Sequence, residues 1–310
     1  MSTHRVLLGR YELGDVIGSG ATADVHRARD IRSGRSVAVK LLHRHLARDP
    51  LFRSRFQREA ATAAGLSHPG IVAIYDTGYE EVDGSSADRV RVPFIAMEYV
   101  AGRSLRDLLR IRALTLNEAI HYQAGILAAL DFSHRAGVIH RDIRPANVIV
   151  TPGGAVKIVD FGIARAHGDP TATMTQAQAF LGTPSYLSPE QARGEVAGAS
   201  SDLYSAGCLL YELTGRPPFV GDDPVSVVYQ HVHEEPARVD TSIPALDAVV
   251  ARSIAKVPQD RFRDAGTFRE ALLAATNCAL HVRPSALAHT VDVLPVTLAA
   301  GSASAAYVHH

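Results

Sequence analysis

The chain has 310 residues, 46% of them apolar, which suffices for a buried core and excludes disorder of the whole. Lysine plus arginine equals aspartate plus glutamate at 32 each, so no global field draws the molecule toward nucleic acid or anionic lipid. Two cysteines, Cys208 and Cys278, without CxxC spacing argue against a disulfide framework or a structural zinc site. No signal-like apolar stretch opens the chain and no run of about 18 uncharged apolar residues follows, so as given it is expected to be soluble and cytoplasmic.

The first hundred residues read mostly as strands. YELGDVIG, ADVHRARD and RSVAVKLL are short, alternating or rich in β-branched residues, and separated by Gly, Ser and Asp turns. Between Leu51 and Leu66, Phe52, Phe56, Ala60 and Ala63 recur at helical spacing among polar residues, which predicts one amphipathic helix. Two further strands are expected at Ile71–Tyr75 and Val90–Tyr99, joined by the polar stretch EEVDGSSADR as a mobile surface loop. After Gly102 the pattern turns helical. Ser104 is a candidate N-cap, and Thr115 with Glu118 spells a capping box. Ser201–Leu213, Pro224–His231, Leu246–Ala255 and Ala265–Ala275 also suit helices. A sheet-rich front followed by a helical rear indicates an α+β chain of two lobes. From about Leu280 the sequence loses period and reads as a poorly ordered tail.

Three segments carry chemistry. Gly18-Ser-Gly-Ala-Thr-Ala-Asp-Val25 sits between two strands, where glycines let backbone amides approach phosphate oxygens; alone it reads equally well as a glycine hairpin. Val37-Ala-Val-Lys40 places a lysine on an apolar strand, where its charge needs a partner or an anionic ligand, and Glu59 on the amphipathic helix is the available partner. His140-Arg-Asp-Ile-Arg-Pro-Ala-Asn147 sets a run of polar groups between apolar segments that have no need of them. The VIVTPGGAVKIVDFG that follows predicts a hairpin around Thr151–Gly154, which returns Asp160 to the end where Asn147 lies. Two such oxygen ligands suit a hard divalent cation held together with phosphate and water.

With the glycine loop, VAVK, HRDxxPxN, DFG and SPE in this order, the chain resembles the eukaryotic-type (Hanks-type) serine/threonine protein kinases from residue 10 to about 276. Tyr11-Glu-Leu-Gly14, Met97-Glu-Tyr-Val100, Tyr186-Leu-Ser-Pro-Glu-Gln-Ala-Arg193 and Asp223-Pro-Val-Ser-Val-Val-Tyr-Gln-His231 most resemble the actinobacterial PknB-type branch. The resemblance implies a two-lobed protein kinase fold: an N-terminal extension at 1–10, a small antiparallel sheet with one helix at 11–100, a larger helical lobe at 101–278 and a tail at 279–310. It implies ATP with Mg²⁺ or Mn²⁺, transfer of the γ-phosphate to protein Ser/Thr hydroxyls, and site residues by position. Gly18, Ser19, Gly20, Ala21, Thr22 and Ala23 would cover the phosphates, while Lys40, held by Glu59, would bind them. Asp142 would accept the hydroxyl proton, Arg144 would contact the transferring phosphate, and Asn147 and Asp160 would hold the metal. Adenine would lie among Ile17, Val25, Ala38 and Ile149, against the backbone of Glu98 to Val100, with Met97 as gatekeeper.

By the same resemblance Glu190 pairs with Arg261, Asp202 braces the catalytic loop, and Arg141 receives a phosphate made on the loop Gly168–Thr183, with Thr175 first and Thr173 and Thr171 next. Protein substrates, the kinase itself, FHA-type modules and a second copy docked through the N-lobe are the implied partners. Membrane-anchored relatives make a cytoplasmic domain of an anchored kinase the alternative localisation. Three positions depart from the pattern: Arg144 stands where a lysine is usual, Ala23 replaces the third glycine, and Ala177 replaces a second loop threonine. Arg144 alone motivates a second reading, a nucleotide-binding pseudokinase or scaffold. A small-molecule phosphotransferase is a third, opposed by Gly182-Thr-Pro-Ser-Tyr-Leu-Ser-Pro-Glu190, which resembles a peptide-positioning loop.

Overall fold

Alternation along the first strands decides which face is buried. In β4 (Ser36–Leu42) and β6 (Val90–Glu98) nearly every residue is enclosed, as expected of central strands covered on both faces. β2 (Tyr11–Ser19) and β3 (Ala23–Asp30) alternate instead, with the far half of β2 exposed. With β1 (Val6–Leu7) and β5 (Ile74–Val82) they form one antiparallel sheet in the order β1-β2-β3-β4-β6-β5. The computed structural model describes residues 5–82, 89–161 and 184–281, except the side chains of Glu59, Val82 and 277–281.

Two strand expectations shift. Val6 and Leu7 pair with Glu12 and Tyr11, and Leu7 is fully buried, so the described end of the segment read as an extension belongs to the sheet. β5 runs to Val82, taking in residues read as loop. Its polar YDTGYEEV lies at the sheet edge, where none of residues 75–81 is fully buried, so few apolar side chains mark the strand. Gly78 has a packing reason, since a Cβ there would come within 2.7 Å of Leu8 and Phe94. The rest of the expected loop lies outside the described residues.

α1 (Pro50–Ala64) starts at Asp49, whose side chain accepts from the Leu51 amide, with Pro50 in the first turn where its missing N–H costs nothing. Phe56 and Ala60 join the core of the first lobe. The chain crosses to the second lobe through β7 (Arg103–Ser104), which pairs with β8 (Val148–Val150), and β8 with β9 (Val156–Ile158). Ser104 caps α2 (Leu105–Ile111), and the Thr115 and Glu118 capping box starts α3 (Leu116–Arg135). Buried Ile126, Leu127 and Leu130 of α3 share the larger core with α5 (Ala199–Leu213), α7 (Pro244–Ser253) and α8 (Ala265–His281). α4 (Pro189–Ala192) and α6 (Pro224–His233) complete the lobe. α8 extends beyond the expected Ala275 to His281, and the remainder of the expected tail lies outside the described residues. Cys208 is fully buried in α5, and burial pushes its thiol up to about 12, so it stays protonated. No helix among the described residues is long and apolar enough to cross a membrane.

Candidate active site

A cleft of about 350 Å³ lies between the lobes. Ile17, Gly18, Val25, Ala38, Met97, Glu98, Val100 and Ile149, expected there from the sequence, all line it together with Asp160. The cleft also takes Val72, Ala146 and Val159, which the sequence did not single out because an apolar residue carries no mark of facing a ligand rather than core. Met97 lines both this cleft and a small rear cavity that holds Lys40, Asp160 and Phe161, so it stands at the partition between them. Ser19, Gly20, Ala21, Thr22 and Ala23 do not line the cleft. They form the turn from β2 to β3, closed by a Gly20 N–H to Ala23 carbonyl bond at 3.0 Å, and Ala23 points its methyl into the lobe core. Ser19 donates to Asp24 at 2.6 Å, and hydrogen bonds from Ser19 and His43 hold the Asp24 carboxyl below its ordinary pKa.

The catalytic-loop segment is fixed by buried polar groups. Asp202 of α5 has no exposure and accepts the His140 amide at 2.8 Å and the Arg141 amide at 2.6 Å, while His134 Nε2 bonds it at 2.8 Å. His140 accepts the Asp142 amide at Nδ1 (3.2 Å), which leaves Nε2 to donate to the Val159 carbonyl at 3.1 Å. One histidine thus ties the loop to the strand that delivers Asp160, and its ring packs on Phe161 at 4.7 Å. Gln191 donates to the Arg141 carbonyl at 3.0 Å. Arg141 and Asp160 adopt φ of 67° and 57°, left-handed conformations that non-glycine residues hold only where surrounding contacts impose them. The sequence signalled Asp202; it gave no sign of His134 or Gln191.

The expected hairpin is present: Thr151 and Ala155 close its turn, and the Val159 amide donates to the Asn147 carbonyl at 2.9 Å, so Asn147 and Asp160 end up at the same place. The Asn147 amide nitrogen donates to both the carbonyl and the carboxylate of Asp142 at 2.9 Å. That orientation reserves the Asn147 side-chain oxygen for another partner. Lys40 Nζ lies 3.0 Å from Asp160 Oδ1, an ion pair that joins the two lobes. The expected Lys40 and Glu59 contact lies outside the described side chains. No group of three His, Cys, Asp or Glu residues suited to a metal exists among the described residues. An amide oxygen and one carboxylate make a weak cation site alone and an adequate one beside phosphate oxygens, so the residues fit a divalent ion that arrives with a nucleotide.

Below the site, all five Arg261 N–H donors are used. Two go to Glu190 at 2.8 and 2.9 Å, and the others to the carbonyls of Ala255, Ser200 and Lys256. Ser201 adds a 2.7 Å bond to Glu190, and the pair is buried. Burial works to raise the Glu190 pKa, but the bonds from Arg261 and Ser201 and the Arg261 charge leave it below its ordinary value. The Arg144 side chain lies near Tyr186, and its enclosed Nε has no hydrogen-bond partner among the described residues. Thr171, Thr173, Thr175, Ala177 and Thr183 lie outside the described residues.

The family model for the protein kinase domain matches residues 11–276. A probable serine/threonine-protein kinase of Streptomyces coelicolor is 55% identical over 275 residues, covering 87% of this chain and 40% of that protein. The serine/threonine-protein kinase PknB of Mycobacterium tuberculosis is 47% identical over 310 residues, covering 98% of this chain and 49% of that protein. The chain thus spans less than half the length of these curated relatives. Among solved structures, the PknI kinase domain of Mycobacterium tuberculosis superimposes with a TM-score of 0.67 at 28% identity, covering 89% of this chain and 99% of that one. The cleft, the pinned loop and a family match from Tyr11 to Thr276 lead to one conclusion: the chain belongs to the protein kinase family, in its Hanks-type serine/threonine branch and close to the actinobacterial PknB-type kinases.

Proposed function

We propose that this chain transfers the γ-phosphate of ATP to serine and threonine hydroxyls of proteins, itself included. The observation that carries the reading is a set of two side-chain pairs, Asn147 with Asp142 at 2.9 Å and Lys40 with Asp160 at 3.0 Å, brought to one end of the β8–β9 hairpin, with Asp160 lining a cleft of nucleotide size. Asp142 receives the hydroxyl proton and aims the oxygen, and the Asn147 amide keeps that carboxylate in place. Lys40 binds phosphate oxygens, with Asp160 and Asn147 supplying oxygen ligands to Mg²⁺, whose contribution is to neutralise charge on the transferring group. Positioning and electrostatics account for most of the catalysis in such a site.

The finer proposals are phosphorylation at Thr175, or at Thr173 or Thr171, read by Arg141, with FHA-type modules as readers of the product and a second copy docked through the N-lobe. The test is incubation with Mg²⁺ and labelled ATP in the presence of a generic basic protein. The wild type should label the acceptor and itself, with phosphate located by mass spectrometry on residues 168–183. Asp142→Asn should lose transfer by roughly 10²- to 10⁴-fold while still binding ATP. Nucleotide binding without any transfer by the wild type would favour the scaffold reading.

A further inference from the structure

β9 is three residues long, and its alternation sends Val156 and Ile158 into the large core and Lys157 to the other side. On that side stands Glu98, the last residue of β6, from the other lobe. Lys157 Nζ meets Glu98 Oε2 at 2.8 Å, with the side chains only 19% and 25% exposed, so water screens the pair less than a surface ion pair. The same carboxylate oxygen accepts the Ala73 amide at 3.3 Å, and the Glu98 amide donates to the Ala73 carbonyl at 2.8 Å.

These bonds close a ring. Ile158 donates to the Gly70 carbonyl at 2.8 Å and accepts the Val72 amide at 3.0 Å, so the strand that bears Lys157 is bonded to the segment that leads to Ala73. Ala73 is bonded to Glu98, and Glu98 returns to Lys157. His68, stacked on Phe132 of α3 at 5.1 Å, stands close by; burial and the Lys157 charge both push it toward its neutral form. Glu98 to Val100, the backbone that edges the cleft on the way to β7, issues from this ring. Lys157 itself does not line the cleft.

We propose that Lys157 is a positioning residue for the nucleotide: its ion pair with Glu98 fixes the crossover backbone and so sets the affinity for ATP without touching it. The inference rests on the reading of the cleft as the ATP site. A backbone already held in its binding conformation loses less freedom when the purine arrives, and cutting the pair returns that freedom to the free enzyme.

The experiment compares wild type, Lys157→Met, Lys157→Arg, Glu98→Gln and the Lys157→Met/Glu98→Gln double variant. It measures kcat, the KM for ATP, the KM for a generic basic protein, directly measured ATP binding, and the unfolding midpoint. Lys157→Met should raise the KM and the Kd for ATP by about threefold to tenfold, with kcat and the acceptor KM within about twofold of wild type. Lys157→Arg should restore ATP affinity, and the double variant should be no weaker than Lys157→Met alone. An unchanged KM for ATP, even with a lower unfolding midpoint, overturns the inference, and so does a fall in kcat alone or an Arg variant as weak as Met. A wild type that binds no ATP overturns the ATP-site reading and the inference together, whereas equal binding by wild type and Lys157→Met overturns the inference alone.

Discussion

On the C-terminal side of the cleft, residues 140–147 are anchored to the fully buried Asp202 and His140, and deeper in the same lobe lies a buried guanidinium with every donor satisfied. On the N-terminal side, Val16 and Ile17 are about half exposed, Ser19 bonds its neighbour across the turn, and the strand register between Leu13 and Gly18 is irregular. The difference follows from what each wall does. Proton acceptance and metal binding need atoms fixed to within fractions of an ångström, whereas a cover over phosphates must let the nucleotide in and out.

Breaking the deepest anchor tests the comparison hardest. Glu190→Ala strands the Arg261 charge in the core and should cost about 3 to 5 kcal/mol in denaturant unfolding. Replacing both residues with apolar ones of similar volume should cost far less. If Glu190→Ala were neutral, the second lobe would not depend on the pair. Next in size, Asp202→Asn should lower kcat by roughly 10- to 100-fold through displacement of the His140–Asp142 backbone, with ATP binding retained. Equal losses of ATP affinity and kcat would show that the two walls are one unit, contrary to the comparison.

The two walls also differ in how far they could be read from sequence. Polar residues in an apolar setting announce themselves, so Asp142, Asn147 and Asp160 were visible, and one hairpin predicted that Asn147 and Asp160 meet, whereas Asp202 and Glu190 came from the resemblance to the kinase family. Caps at Ser104 and Thr115 are local rules and equally legible. β5 was misplaced because an edge strand in which none of residues 75–81 is fully buried can be built almost wholly of polar side chains. The pairing of Lys157 with Glu98 was not foreseen, since what brings them together is a contact between lobes that no local pattern encodes. His134 likewise sits at the end of an amphipathic helix, where its bond to Asp202 depends on the packing of α3 on α5.

Within the rigid lobe two buried carboxylates should respond to pH in opposite senses. Glu190, held below its ordinary value, adds stability that is complete above the usual carboxylate range and disappears as pH falls through its folded value. Glu212 is raised by burial, which the Tyr186 hydroxyl bond offsets only in part, so its contribution declines as pH rises from the usual carboxylate range through its folded value. Unfolding free energy measured from pH 4 to pH 8 should therefore rise more steeply with pH in Glu212→Gln than in wild type and less steeply in Glu190→Gln. Identical slopes in all three would mean that neither carboxyl is coupled to folding.

The smallest expected effect concerns the departure from the family pattern. Arg144 precedes Pro145 in extended backbone, as a residue before proline prefers, so its side chain leaves the loop in a direction the fold prescribes. Its planar head sits near Tyr186 with Nε enclosed and unbonded among the described residues. A lysine there has no Nε–H to strand, and its compact ammonium can follow a phosphate through transfer, whereas a guanidinium offers donors in one fixed plane. Arg144→Lys should therefore raise kcat by about twofold to fivefold, near 1 kcal/mol or less on the barrier, with the KM for ATP unchanged. Unchanged or lower turnover would show that the enclosed arginine is matched to its surroundings. The anchored wall would then extend to Arg144.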